Sequence, residues 1–186
     1  SLVYKLDKKF KKIKEIAEIV KETKDLKKFK NEEFNYIQFS NIDTKLGSIT
    51  SFEKITGENA PDRAKKMIKG GDILCASVKD SEENIAIVPY GYENLIASTG
   101  FIVFRAKPPM TPEALYILLK QKNNLLQVRN KVSGTIMPSI SAEDYLENII
   151  PDLSLDEIKS ITSEVKKIEE YREHIRNTLN IIIDKY

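Results

Sequence analysis

Ser154-Leu155-Asp156-Glu157-Ile158-Lys159-Ser160-Ile161 opens the stretch that decides the fold, and it runs to Tyr186 as TSEVKKIEEYREHIRNTLNIIIDKY. Pro151 punctuates the chain just before it, and Ser154 with Glu157 has the spacing of a capping box. Ile161, Ile168, Ile175 and Ile182 recur every seven residues. Ile158, Val165, Leu179 and Tyr186 fill the companion position, with Arg172 as the polar break. At 1.5 Å per residue, a helix of about 30 residues spans roughly 45 Å. That is longer than a small domain needs. A seam repeating by seven therefore asks for a partner helix. His174 lies beside this seam and reads as a solvated surface residue.

Upstream of the seam the pattern changes to short β segments. Phe34 to Phe39 is aromatic-rich and reads as a strand, and Ile49 to Ile55 is a weaker one. Gly70-Gly71 reads as a turn into Ile73-Leu74-Cys75-Ala76. Asn84 to Val88 is stopped by Pro89. Leu95 to Ala97 and Gly100 to Arg105 complete the set. Phe10, Ile13, Ile16, Ala17 and Val20 have helical spacing, so residues 9–23 are expected to form an amphipathic helix. Thr111-Pro112-Glu113 opens a helix through Leu119, with a capping threonine and a first-turn proline. Lys131 to Thr135 reads as a loop, and Ser141 as a further helix start. The expected architecture is α+β: a small mixed β-rich domain with flanking helices over residues 1–152, then a long coiled-coil helix over 153–186.

Composition narrows the chemistry. The 186 residues are 41% hydrophobic, enough for a real core. A net charge of +2 hides a strong asymmetry. Residues 1–30 carry eleven lysines against five acids, and 104–131 carry six bases against Glu113 alone. Residues 141–173 reverse this, with ten acids against four bases. A basic body with an acidic segment suits a protein presenting one face to a polyanion. His174 and Cys75 are too few for a zinc site of about four ligands, and no phosphate-binding glycine loop is present. No apolar run approaches the roughly 20 residues of a membrane span. A disulfide-free, lysine-rich chain is expected in a reducing cytoplasm. Lys107-Pro108-Pro109-Met110 has the prolines of an amino-methyltransferase box but neither its polar nor its aromatic neighbour. Pro151-Asp152 and Glu157-Ile158-Lys159 spell a nuclease pattern at a spacing that opens a helix instead. Cys75, in an apolar strand, reads as a small buried residue.

The β-rich stretch carries a further pattern. Gly71-Asp72-Ile73-Leu74, then Asn84-Ile85-Ala86-Ile87-Val88-Pro89, then Ser98-Thr99-Gly100-Phe101-Ile102-Val103-Phe104-Arg105 stand in order. Ser133-Gly134-Thr135-Ile136-Met137-Pro138 and Ile150-Pro151-Asp152-Leu153 follow. This series resembles the specificity subunit of type I restriction–modification systems, from about Ile13 onward. Two departures stand out: Glu157 is followed by Ile158 rather than glutamine, and the chain holds one recognition unit and one long helix where the family has two of each. It therefore looks like a half subunit or one excised repeat, as the start at Ser1 also suggests.

The resemblance implies a non-catalytic, sequence-reading module for double-stranded DNA. It implies a methyltransferase subunit as partner, holding S-adenosylmethionine, while this chain itself holds no cofactor and no metal. A second specificity repeat, or a second copy of this chain, would pair antiparallel with the long helix. The expected phosphate contacts are Lys79, Lys107, Lys122, Arg129 and Lys131. The expected base readers are the loop residues Asn41, Ser77, Ser98, Thr99, Ser133 and Thr135. Two other readings stay open at this point: a coiled-coil scaffold with no nucleic-acid role, and the recognition domain of a fused N6-adenine methyltransferase.

Overall fold

The computed structural model describes residues 9–134 and 138–185. Twelve strands and five α-helices are described, several of them very short, besides 3-10 turns at Leu26–Lys28 and Phe39–Asn41. In chain order they are β1 (Phe10–Lys12), α1 (Ile13–Ile16), β2 (Ala17–Ile19), β3 (Glu33–Ile37), β4 (Ile42–Asp43), β5 (Ser48–Ile49) and β6 (Glu53–Thr56). Then come β7 (Ala64–Met67), β8 (Ile73–Ala76), β9 (Ile85–Ile87), β10 (Leu95–Ser98) and β11 (Phe101–Ala106). The chain ends with α2 (Pro112–Lys120), α3 (Lys122–Lys131), α4 (Ala142–Leu146), β12 (Ile149–Pro151) and α5 (Leu155–Lys185). The class is α+β, with a β-rich body and a long C-terminal helix.

Two four-stranded sheets make the body, in the orders β2-β11-β8-β9 and β6-β3-β10-β7. Only β3 and β10 run parallel within them. The strand pattern explains the layering, because successive side chains point to opposite faces. Ile73 and Cys75 of β8 face the helices, where they meet Leu115, Leu118 and Leu119 of α2. Leu74 faces the other way and packs with Val103, Ile37 and Leu95 between the two sheets. A third cluster around Phe34, Tyr36 and Ile96 covers the outer face of the second sheet. The central strands β8, β10 and β11 are thus apolar on both faces, as a sheet buried on both sides requires.

The Gly-Asp-Ile-Leu and Val-Pro segments close one end of this sheet together. Gly71 has φ +85°, which a side chain resists, and a Cβ there would sit 2.4 Å from the Tyr90 hydroxyl. Gly71 N–H donates to the Val88 carbonyl at 2.9 Å, and Val88 N–H donates to that of Asp72 at 2.8 Å. The Asp72 carboxylate is buried. It accepts from Arg105 Nε at 2.8 Å and Nη2 at 2.9 Å, and from Lys69 N–H at 2.9 Å. Arg105 is therefore an internal counter-ion that ties two strands, with the fork geometry a buried carboxylate needs.

The expected helix over residues 9–23 is not formed. Instead β1 pairs with β12, a single helical turn follows, and β2 adds to the edge of β11. Ile13, Ile16 and Ala17 enter the helix-side core, whereas Val20 enters the inter-sheet core. No one helix face could serve both. The β-branched side chains and two open strand edges favour extended chain here. Ile49 to Ile55 splits into β5 and β6, while α3, β7 and β12 arise where the sequence suggests no element. The helix starts at Thr111 and Ser141 are as read: each side chain accepts from the backbone N–H three residues on.

Candidate nucleic-acid interface

The strongest clustering of sequence-predicted residues lies at the end of the sheet where β10 turns into β11. Ser98 leaves one sheet and Phe101 enters the other, so residues 99–100 bridge the two. Ser77 donates to the Gly100 carbonyl through its N–H at 3.0 Å and its hydroxyl at 2.8 Å. Gly100 N–H donates to the Ser98 hydroxyl at 3.3 Å. Ile140 N–H donates to the Ser77 carbonyl at 2.9 Å, and Lys79 N–H to that of Pro138 at 2.9 Å. Ser133 and Ser139 exchange a pair of backbone bonds at 3.1 and 2.9 Å. Loops from three parts of the chain are thereby tied into one surface. It exposes Lys79, Thr99 and Ser133 together.

The other expected contacts distribute differently. Ser77 and Ser98 lie at this surface, but their hydroxyls hold the turn. Asn41 is buried elsewhere: its Nδ2 donates to Ser51 Oγ at 3.1 Å and its Oδ1 accepts from Gln38 N–H at 2.9 Å. Arg129 is ion-paired with the buried Glu82 carboxylate, with Glu83 at 4.0 Å. Lys131 Nζ donates to the Asp144 carbonyl at 2.9 Å. Lys107 follows the far end of β11, roughly 20 Å along the strand from Thr99, and its ammonium donates to the Lys14 carbonyl at 2.8 Å. Lys122 is exposed in the first turn of α3. Thr135 and Tyr186 lie outside the described residues.

Two cations at this end of the sheet were not apparent in the sequence. Thr99 N–H donates to the Arg63 carbonyl at 2.9 Å, and the Lys66 ammonium contacts the Phe101 carbonyl. Both belong to the Asp62-Arg63-Ala64-Lys65-Lys66-Met67 run. That run lacks the apolar alternation that reveals a strand, and only its pairing with β10 brings it here. Cys75 is fully buried, and loss of hydration pushes its thiol pKa up to about 12, far from nucleophilic. Among the described residues no group of three or more His, Cys, Asp or Glu side chains could hold a metal, and no helix is long and apolar enough to cross a membrane.

Helix α5 divides its seam in two. Ile158 and Val165 are buried against the body, and Ile161 packs partly on the same core. Thr162 and Thr111 share a hydroxyl hydrogen bond at 2.7 Å, and Arg172 Nη2 donates to the Leu46 carbonyl at 2.6 Å. Arg172 is thus occupied by its own body rather than awaiting a helix mate. From Ile168 onward the apolar positions emerge: Ile168 is 47% exposed, Ile175 58%, Leu179 52% and Ile182 50%. A cleft of about 530 Å³ opens where α5 leaves, between Phe52, Tyr90 and Tyr92 on one side and Glu169, Arg172 and Arg176 on the other.

The profile of the type I restriction modification DNA specificity domain matches residues 5–180. The chain belongs to that family. Among solved structures, the specificity domain is similar to the HsdS subunit from Thermoanaerobacter tengcongensis, at 30% identity and a TM-score of 0.74, over 94% of this chain and 44% of that one. It is similar also to a chain in a structure concerned with complex assembly and conformational transition of the type I R-M system, at 31% identity and a TM-score of 0.75, over 92% of this chain and 44% of that one. The S subunit from M. genitalium, at 12% identity and a TM-score of 0.56, shares the fold over 95% of this chain and 42% of its own. The specificity domain thus spans less than half the length of these relatives. No curated protein matches it.

Proposed function

We propose that the specificity domain reads a DNA sequence on behalf of a partner methyltransferase and performs no chemistry itself. The observation that carries this reading is the family match over residues 5–180, laid on a body whose loops gather Lys79, Thr99 and Ser133 at one end. Cations there would neutralise phosphates, and the exposed hydroxyls would meet base edges. S-adenosylmethionine would be held by the methyltransferase. The free half of α5 would pair with the long helix of a second specificity unit or of a second copy of this chain. Each unit would then contact its own part of a divided target.

Duplex binding at a series of salt concentrations tests the reading. Phosphate contacts predict an affinity that falls linearly in log–log form as salt rises, by about 0.9 per phosphate neutralised. A protein that ignores duplex DNA at low salt, alone and with its methyltransferase, would be a scaffold instead.

A further inference from the structure

The two sheets part company beside β11, and a lysine fills the gap. Strand β2 and Val20 cover the β11 edge as far as Val103, whose carbonyl accepts from Val20 N–H at 2.9 Å. The chain then swings away to run along β7, where Lys24 N–H donates to the Lys65 carbonyl at 2.9 Å and Met67 N–H to that of Glu22 at 3.0 Å. The Phe101 carbonyl is left without a strand partner on that side. The Lys66 ammonium reaches it from β7.

An ammonium in that position has three N–H donors, and the carbonyl takes one. Among the described residues it has no carboxylate partner. Burial alone holds its pKa below the usual lysine value, with no acidic neighbour offsetting the loss of hydration. The acid nearest to it in sequence, Asp62, is engaged by Lys27 at 2.7 Å. Arg63 is exposed and likewise has no ion pair among the described residues, and its carbonyl anchors Thr99 at the tip of the β10–β11 turn. Two uncompensated cations thus flank the exposed Thr99. Arg129, by contrast, has its counter-ion supplied by the buried Glu82 carboxylate.

We propose that Lys66 and Arg63 form a seat for a backbone phosphate of the bound duplex, which places Thr99 against the adjacent base edges. This rests on the DNA-reading function proposed above. The phosphate would supply the counter-charge that the body withholds, and the Phe101 carbonyl would fix the ammonium in advance. Such a seat positions the protein without reading sequence.

The test uses the whole chain and a mixed-sequence duplex. Lys66→Met and Arg63→Gln should each lower the slope of log affinity against log salt by about 1, and Lys66→Arg should restore most of it. Because Lys66→Met also frees a carbonyl, a second measurement avoids substitution altogether. Reductive methylation of wild-type lysines should show Lys66 shielded by duplex at low salt and released at high salt, with Lys107 indifferent. Wild-type binding with unaltered slopes in the variants, or with Lys66 modified equally with and without duplex, overturns the seat alone. Wild-type protein that binds no duplex overturns the DNA-reading function, and the seat with it.

Discussion

Arg129 shows how a residue's partner decides what its removal means. Read from sequence, it is one more cation in a basic run, and its loss should weaken binding to all DNA alike. Its guanidinium is instead paired with Glu82, a carboxylate that is 4% exposed. Leaving that charge without its partner costs about 3 kcal/mol or more. Arg129→Ala should therefore lower the urea midpoint of unfolding, and adding Glu82→Gln to it should recover much of the loss. A double-mutant cycle on stability measures this; strict additivity would show that the pair is not coupled. Glu147 is a second case. It accepts from Lys12 Nζ and Lys14 Nζ, both at 2.6 Å, and these hydrogen bonds hold its pKa at about 2, below the ordinary 4.5. A depressed carboxylate contributes stability above its unfolded pKa and loses it as pH falls through the folded one. Stability should therefore decline between about pH 4.5 and pH 2 through this group, and Glu147→Gln should flatten that part of the profile in urea titrations at stepped pH.

At the scale of elements, α5 has two halves in different surroundings, one buried against the body and one exposed. Ile168→Asp with Ile175→Asp alters only exposed seam positions, so the body should keep its unfolding midpoint. Each isoleucine buried in a pairing contributes roughly 1.5–3 kcal/mol, and their joint loss should weaken association through α5 by more than about 100-fold. Sedimentation at several concentrations reads this directly. Ile158→Asp or Val165→Asp should instead unfold the body, because both are buried within it. This division was invisible in the heptads, which treat Ile158 and Ile182 alike. The repeat of seven gave the helix and its seam; which turns the seam spends on its own body depends on where α2 lies, a tertiary fact. The N-terminal segment failed for a related reason. Ile13, Ile16 and Val20 are apolar at helical spacing, yet they serve two separate cores. The strands from Ile73 to Phe104 were legible because both of their faces are buried and turn residues bound them. β7 was not, because Lys65 and Lys66 carry no apolar signal and are held by hydrogen bonds alone. The proposed interface follows the same rule. Thr99, Lys79 and Ser133 came from loops that sequence marks as loops, whereas Arg63 and Lys66 reach the same end only through the pairing of β7 with β10.

For the molecule as a whole, the proposed function asks the body for a surface and a direction and leaves the reaction to a partner. Its thiol is buried, and its one histidine lies on the exposed far half of α5. Purified chain given S-adenosylmethionine and duplex should therefore transfer no methyl group, and transfer should appear only when the methyltransferase is added. Methylation by the chain alone would sink the non-catalytic reading.

The antiparallel pairing of β1 with β12 has a consequence of another kind. Phe10 faces Pro151, Asp152 N–H donates to the Lys9 carbonyl at 2.8 Å, and Lys11 is ion-paired with Asp152. The chain thus enters and leaves the body at one doorway, a few residues before α5 begins. A segment whose two ends are neighbours can be lifted out and replaced by another of the same outline, with only two seams to heal. Recombination between related genes at these two points would graft a new set of loops onto an unchanged helix. Under the pairing proposed above, what is read would be inherited separately from how the readers are spaced.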